Sequence, residues 1–163
     1  MTFVYNDLEA EVSGLDGNRE IEKMAADRLN TESLLKAVDS LARSVDTAGR
    51  FQKTVDAGDM ETIRAGVIQH FEFTYELCWK FMKRWIEMNV SPEAADGVPR
   101  IELFRLAAEN RLIDDVAEWM TFHRARNSTS HIYSEVVARD VFERAVAFLP
   151  FAQDFLNRLS AKV

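Results

Sequence analysis

The sequence predicts an all-α protein, an antiparallel bundle of four to five helices. Apolar residues recur at three- and four-residue spacing over long stretches, and nowhere do apolar and polar residues alternate between hairpin turns. At 163 residues and 47% hydrophobic, the chain suits a sizeable core, with no internal repeat and no interior linker long enough to divide it.

Residues 1–26 hold Gly14, Gly17, many acids and no sustained apolar period, which predicts an acidic, mobile or loosely docked arm ahead of a helical domain at 27–163. The first helix follows from Leu34, Val38, Leu41, Val45 and Ala48, a three-four seam that Thr31 is placed to cap. Gly58-Asp59 then punctuates the chain, with Asp59 as the expected N-cap of a second helix reaching Asn89. That helix is apolar on two faces. Ile63, Val67, Phe71, Cys78, Met82 and Trp85 form one stripe, while Phe73, Leu77, Phe81 and Met88 form another. A single seam cannot bury both, so the helix is central or part of it is covered by another protomer. Ser91 to Pro99, with two prolines and a glycine, reads as the longest interior loop. Shorter helices are expected at about Arg100–Asn110 and Asp114–Ala125. The last starts near Ser134, whose hydroxyl can cap it, and takes apolar positions from Val136, Val137, Val141, Phe142, Val146, Leu149, Phe155, Leu156 and Leu159. Pro150 should kink or break it, because proline removes one backbone donor.

A formal charge of −7 argues against a broad basic surface that holds nucleic acid by counterion release. Residues 1–30 carry seven acids and three bases, for −4, which leaves −3 for the remainder. A local basic pocket near Arg124, Arg126 and Arg139 therefore stays open. No apolar run approaches the roughly 20 residues that span a bilayer, and the first residues lack the basic-then-apolar order of a signal peptide, so no membrane association and a cytoplasmic location are expected. The single cysteine, Cys78, sits in an aromatic helical run and reads as a packed core residue in a reducing compartment. His70 and His123 have no Cys or His partner at metal-ligand spacing, and Glu72, Glu76, Glu102, Glu118 and Glu135 make no recognisable metal constellation. A phosphate loop, a GxSxG elbow and a dinucleotide fingerprint are absent, and neither metal nor cofactor is expected.

The run RNSTSHIY sets Arg126, His131 and Tyr133 within eight otherwise small or polar residues. An arginine grips phosphate, a histidine moves a proton near neutral pH, and a tyrosine offers a hydroxyl for modification. With 14 arginines and 3 histidines in the chain, a chance Arg-x4-His arises about one time in four. Requiring Tyr two places on lowers this to about one in a few hundred. Arg64 and His70 nearly repeat the pair inside an apolar helical segment and read as structural. Residues five apart on one helix diverge by about 140°, so Arg126 and His131 cannot share a substrate unless the chain bends or pairs. Asn127-Ser128-Thr129-Ser130 is a poor helix interior where a break could turn His131 back. Alternatively, a two-fold axis beside the motif would bring two copies into one cleft.

Three blocks carry a family resemblance: GVIQHFEFTYELCWKFMKRWIE at 66–87, PRIELFRLAAENRLIDD at 99–115 with Trp119, and RNSTSHIY with the FLPFAQDFL of the last helix. Through them residues 30–160 resemble the HEPN proteins described as nucleotidyltransferase substrate-binding proteins, the partners of minimal nucleotidyltransferases in toxin–antitoxin modules. The resemblance implies a homodimeric, metal-independent endoribonuclease with Arg-His motifs facing across the interface. Arg126 would hold the scissile phosphate and His131 would act as general base or acid. Asn127 would position the arginine or contact RNA; from its position on the second helix, not from the resemblance, Glu76 is expected to orient Arg126 through a carboxylate contact. The resemblance also implies that a partner nucleotidyltransferase antitoxin transfers AMP to Tyr133 as an off-switch. The chain lacks the Gly-Ser and paired-Asp arrangement of that transferase and is not the transferase itself. A non-catalytic nucleotide-binding or docking subunit, or a purely structural helical dimer, would use the same fold.

Overall fold

A long helix lies in contact with every other described helix, which gives it the central position that its two-faced pattern allows. The structure, a computed structural model, describes residues 29–129 and 134–163. The expected N-terminal arm, the domain boundary beside it, His131 and Tyr133 lie outside the described residues. The helices are α1 (Glu32–Phe51), α2 (Ala57–Asn89), α3 (Pro92–Ala95), α4 (Arg100–Glu109), α5 (Val116–Ser128) and α6 (Glu135–Ser160). All six belong to the unit Thr31–Lys162, and no strand occurs among the described residues.

Each boundary has a local cause. Asp56, not Asp59, caps α2 and accepts from the Asp59 amide at 2.8 Å, so the helix starts one turn earlier than expected. Asp59 then places its carboxylate in the first turn, where the helix dipole favours it. Thr31 occupies the cap position of α1, but its side chain accepts no capping hydrogen bond. Within the expected loop at 91–99, Pro92–Ala95 form one helical turn capped by Ser91, with proline at a first-turn position where its missing N–H costs nothing. Gly97 follows at φ +66°, a conformation open to glycine without strain. Asp115 caps α5 through the Glu118 amide at 2.9 Å, and Ser134 caps α6 through the Val137 amide at 3.3 Å. Pro150 lies inside α6 without breaking it.

Leu34, Val38, Leu41 and Ala48 bury the seam of α1, and Thr74 of α2 ties the two helices by donating to the Ala37 carbonyl at 3.2 Å. Cys78 is fully buried, which pushes its thiol pKa far up and leaves it a packing residue. The aromatic centre is built on Phe148 of α6. Its ring meets Phe122 at 5.1 Å, Phe71 at 5.3 Å, Trp119 at 5.5 Å and Tyr75 at 6.1 Å, so it joins α6 to both α2 and α5. Phe148, Ala145 and Ala152 are fully buried, whereas Val136 and Val137 in the first turn of α6 face solvent. The second stripe of α2 is uncovered at Phe73, 59% exposed, and Met88, 41% exposed.

Phe148→Ala is expected to cost about 3–5 kcal/mol, because a fully enclosed ring leaves a cavity its neighbours cannot refill. Val136→Ala, at a 78% exposed position, should stay within about 0.5 kcal/mol. Urea unfolding of the two variants measures both, and equal losses would refute the central role given to Phe148.

Candidate functional site

Trp119, Phe122 and Ala125 turn one face of α5 into the core. Side chains three and four apart share a helix face, so this burial sets His123, Arg126 and Asn127 together on the adjoining edge. On α2 the same spacing aligns Glu72, Tyr75, Glu76 and Trp79. The two edges meet residue by residue. Thr129 Oγ1 donates to Glu72, Arg126 Nε lies 2.6 Å from Glu76 Oε1, and Tyr75 Oη is hydrogen-bonded to His123 Nδ1 at 2.8 Å. Glu72 meets the C-terminal end of α5 at Thr129, whereas Tyr75 and Glu76, further along α2, meet the earlier His123 and Arg126, so the helices run antiparallel here.

The expected carboxylate contact between Glu76 and Arg126 is therefore present. It is a close ion pair rather than an aligned hydrogen bond, since the buried Nε finds no hydrogen-bond geometry with the carboxylate. The other Glu76 oxygen accepts from Trp79 Nε1 at 2.9 Å, which fixes the carboxylate from the far side. Arg126 keeps 31% of its side chain exposed, and Glu76 28%. Because Glu76 engages Nε, the two Nη groups of Arg126 have no partner among the described residues and are available to an incoming anion. Asn127 Nδ2 reaches His123 Nε2 at 3.3 Å rather than Arg126.

Arg100, at the start of α4, stacks on Trp79 with its guanidinium carbon 3.6 Å from the ring centroid. The cationic neighbour of Arg126 is thus Arg100 and not Arg139, which pairs with Glu135 at 3.0 Å. Thr129 and Ser134, at the two ends of the 130–133 segment, line a cleft of about 820 Å³ that also contains Arg64 and Arg139, and against them Asp56, Glu61, Glu72 and Glu135. That cleft is acidic on balance, so the basic pocket left open by the charge distribution is not found around Arg139. Helix α5 continues through Asn127 to Ser128 with Thr129 as its C-cap, and the single Thr129 hydroxyl proton is shared between Glu72 and the Arg126 carbonyl, whose oxygen is 2.7 Å away. Among the described residues no group of three His, Cys, Asp or Glu side chains is arranged to hold a metal ion.

Sequence reasoning missed Tyr75, Trp79, Arg100 and the placement of His123. The available signal was the strip Glu72-Tyr75-Glu76-Trp79, a polar edge on an otherwise apolar helix. Burial raises the Tyr75 phenol far above its ordinary pKa, with Arg100 opposing. Burial also lowers the His123 pKa, helped by the positive charges of Arg100 and Arg126 and opposed by Glu76. His123 is therefore neutral at pH 7, as Tyr75 is.

The His123 imidazole should titrate below its ordinary value of about 6.5 when followed by NMR. Because its folded pKa is depressed, the unfolded chain binds the proton first, so this site's contribution to stability is complete above about pH 6.5 and is lost as the pH falls through that value toward the folded pKa. Wild type should consequently lose more stability than His123→Gln between about pH 7 and pH 5. A midpoint at or above the ordinary value would contradict the assignment.

Residues 29–161 match the family model described as nucleotidyltransferase substrate binding protein like. A Haemophilus influenzae relative named probable ribonuclease HepT is 35% identical over 102 residues, covering 61% of this chain and 68% of its own. A solved Haemophilus influenzae structure, described as the fold of a substrate binding domain of a nucleotidyltransferase, superposes with a TM-score of 0.76 at 29% identity, covering 80% of this chain and 99% of that one. A Thermus thermophilus structure gives a TM-score of 0.55 at 26% identity over 73% of this chain and 98% of its own. No described helix is long and apolar enough to cross a membrane. Covered by the family model over almost all of its helical unit, the chain belongs to the nucleotidyltransferase substrate binding protein like family.

Proposed function

We propose that the chain is the toxin of a toxin–antitoxin pair, a homodimeric endoribonuclease that works without a metal and is silenced by AMP transfer to Tyr133 from a partner nucleotidyltransferase. The observation that carries this reading is the Arg126–Glu76 pair. The arginine that opens the Arg-x4-His-x-Tyr motif is held at Nε by a carboxylate from another helix while its Nη edge has no partner among the described residues. That is the form of a phosphate-gripping guanidinium, since the fork matches two phosphate oxygens. The relative named as a probable ribonuclease supports the activity, and the family supports the transferase partner.

In this reading His131 takes the proton of a ribose 2′-OH as the oxygen attacks the adjacent phosphorus. The P–O5′ bond breaks, the 5′ oxygen leaves as a hydroxyl after protonation, and a 2′,3′-cyclic phosphate remains. Arg126 stabilises the charge that develops on the non-bridging oxygens. Asn127 supports RNA contact beside it. The uncovered Phe73 and Met88 stripe of α2 supplies an apolar face for a second protomer. A net charge of −7 suits a narrow substrate, such as a structured RNA end, better than indiscriminate single-strand binding. A non-catalytic docking subunit for the transferase is the second reading, favoured by the description of the Haemophilus influenzae structure as a substrate binding domain.

His131→Ala should reduce cleavage roughly 10² to 10⁴-fold while leaving sedimentation unchanged, and Arg126→Lys should also be poor because lysine lacks the fork. Activity that EDTA removes, or that survives both substitutions, would assign the cleavage to a contaminant and leave the docking reading.

With the transferase, ATP and magnesium, intact mass should show AMP-sized additions on wild type and none on Tyr133→Phe, which should stay active as a ribonuclease. Equal modification of the Phe variant, or full activity of modified wild type, would sink the switch.

A further inference from the structure

The polar edge of α2 extends past Glu76 to a second guanidinium. Arg126 meets one oxygen of Glu76, Trp79 donates to the other, and Arg100 lies flat on Trp79. Two arginines thus share one carboxylate, one directly and one through an indole. Tyr75 and His123 beside them are uncharged at neutral pH. Glu76 is in direct contact with only one of the two arginines.

Arg100 is the one left without such a contact. No ion pair engages it among the described residues, and its Nε is buried with no hydrogen-bond partner. A surface arginine normally leaves its head in water. Here burial lowers the pKa of Arg100, opposed by Tyr75 and Glu76 and reinforced by Arg126, so the charge is held against its own solvation preference. The indole offsets part of that cost through cation–π attraction and fixes the guanidinium plane. A fixed plane is a fork ready for two phosphate oxygens, with less ordering left to do on binding.

We propose that Arg100, held on Trp79, binds a phosphate flanking the scissile phosphate taken by Arg126, so that the site grips two phosphodiester groups of one RNA strand. The proposal rests on the ribonuclease reading and adds a binding residue to it. Its occupant is a strand phosphate, with inorganic phosphate as the competing source.

A short fluorescent single-stranded RNA, titrated in a His131→Ala background to prevent turnover, tests it across a salt series. Arg100→Gln should weaken binding about tenfold and flatten the slope of log affinity against log salt by about 0.7, the release expected for one phosphate contact on a single strand. Arg100→Lys should bind more weakly than the parent but keep its slope, and thermal unfolding of each variant reports any loss of packing. If the glutamine variant fails to fold, the lysine variant decides, weaker binding supporting the proposal and unchanged affinity overturning it. A parent that binds and wild type that cleaves, with slope and affinity unmoved by both substitutions, confines Arg100 to packing and defeats this inference alone. Wild type that neither binds nor cleaves RNA removes the ribonuclease reading and this inference together. Inorganic phosphate whose ³¹P line broadening is lost in Arg100→Gln, with the RNA slope unchanged, marks a free anion site and overturns the strand assignment.

Discussion

The packing of Phe148 against α2 and α5 is the constraint on which the site depends. A helix whose inward residues are fixed has its rotation fixed, and with it every outward residue. Trp119 and Phe122 contact Phe148, so α5 cannot turn without opening the aromatic centre, and His123 and Arg126 are set by the same contact. On α2 the coupling is tighter still. Tyr75 packs its ring against Phe71 and Phe148 while its hydroxyl bonds His123, so one residue belongs to both the core and the polar edge. Positioning Glu76 and Arg126 therefore requires no dedicated loop. It follows from closing the core.

That dependence explains which parts were legible in the sequence. Helical period alone located the long elements, because it records which face must leave water. The Ser134 cap and the buried Cys78 followed from local chemistry. The Glu76–Arg126 contact was also expected, though the two residues lie on different helices, and a motif arginine with an in-phase carboxylate on the central helix was enough to suggest it. Asp56 and Asp59 could not be separated, since either aspartate can cap and only the backbone path decides. Phe148 was passed over within α6 in favour of Val136 and Val137. The apolar pattern there is broad enough to admit two phases, and tertiary contact chose one.

The remaining site residues were illegible for a different reason. Tyr75 and His123 are 48 positions apart, and no spacing rule spans two helices. His123 was set aside for want of a metal partner, a criterion that does not detect a neutral imidazole bonded to a phenol. Arg100 sits beside Pro99 at the start of an ordinary amphipathic helix, where an arginine ordinarily faces solvent. Its significance lies in Trp79, 21 residues earlier on another helix, and only the fold brings the two together.

The acidity of the whole chain and the cationic character of the cluster act at different ranges. At physiological ionic strength charges more than about 8 Å apart are largely screened, so dispersed acids slow the approach of a polyanion without cancelling a guanidinium it has reached. What matters at contact is which charge is already paired: Glu76 is taken up by Arg126 and Glu72 by the Thr129 hydroxyl, while Arg100 has no ion-pair partner among the described residues. Under the ribonuclease reading a phosphodiester on Tyr133 would act as an off-switch by competing for Arg126. A covalently tethered phosphate needs no affinity of its own. Under that reading, a phosphate tethered within reach of Arg126 would be at a higher effective concentration than any free RNA phosphate, and the modification would satisfy first the charge proposed to recruit substrate.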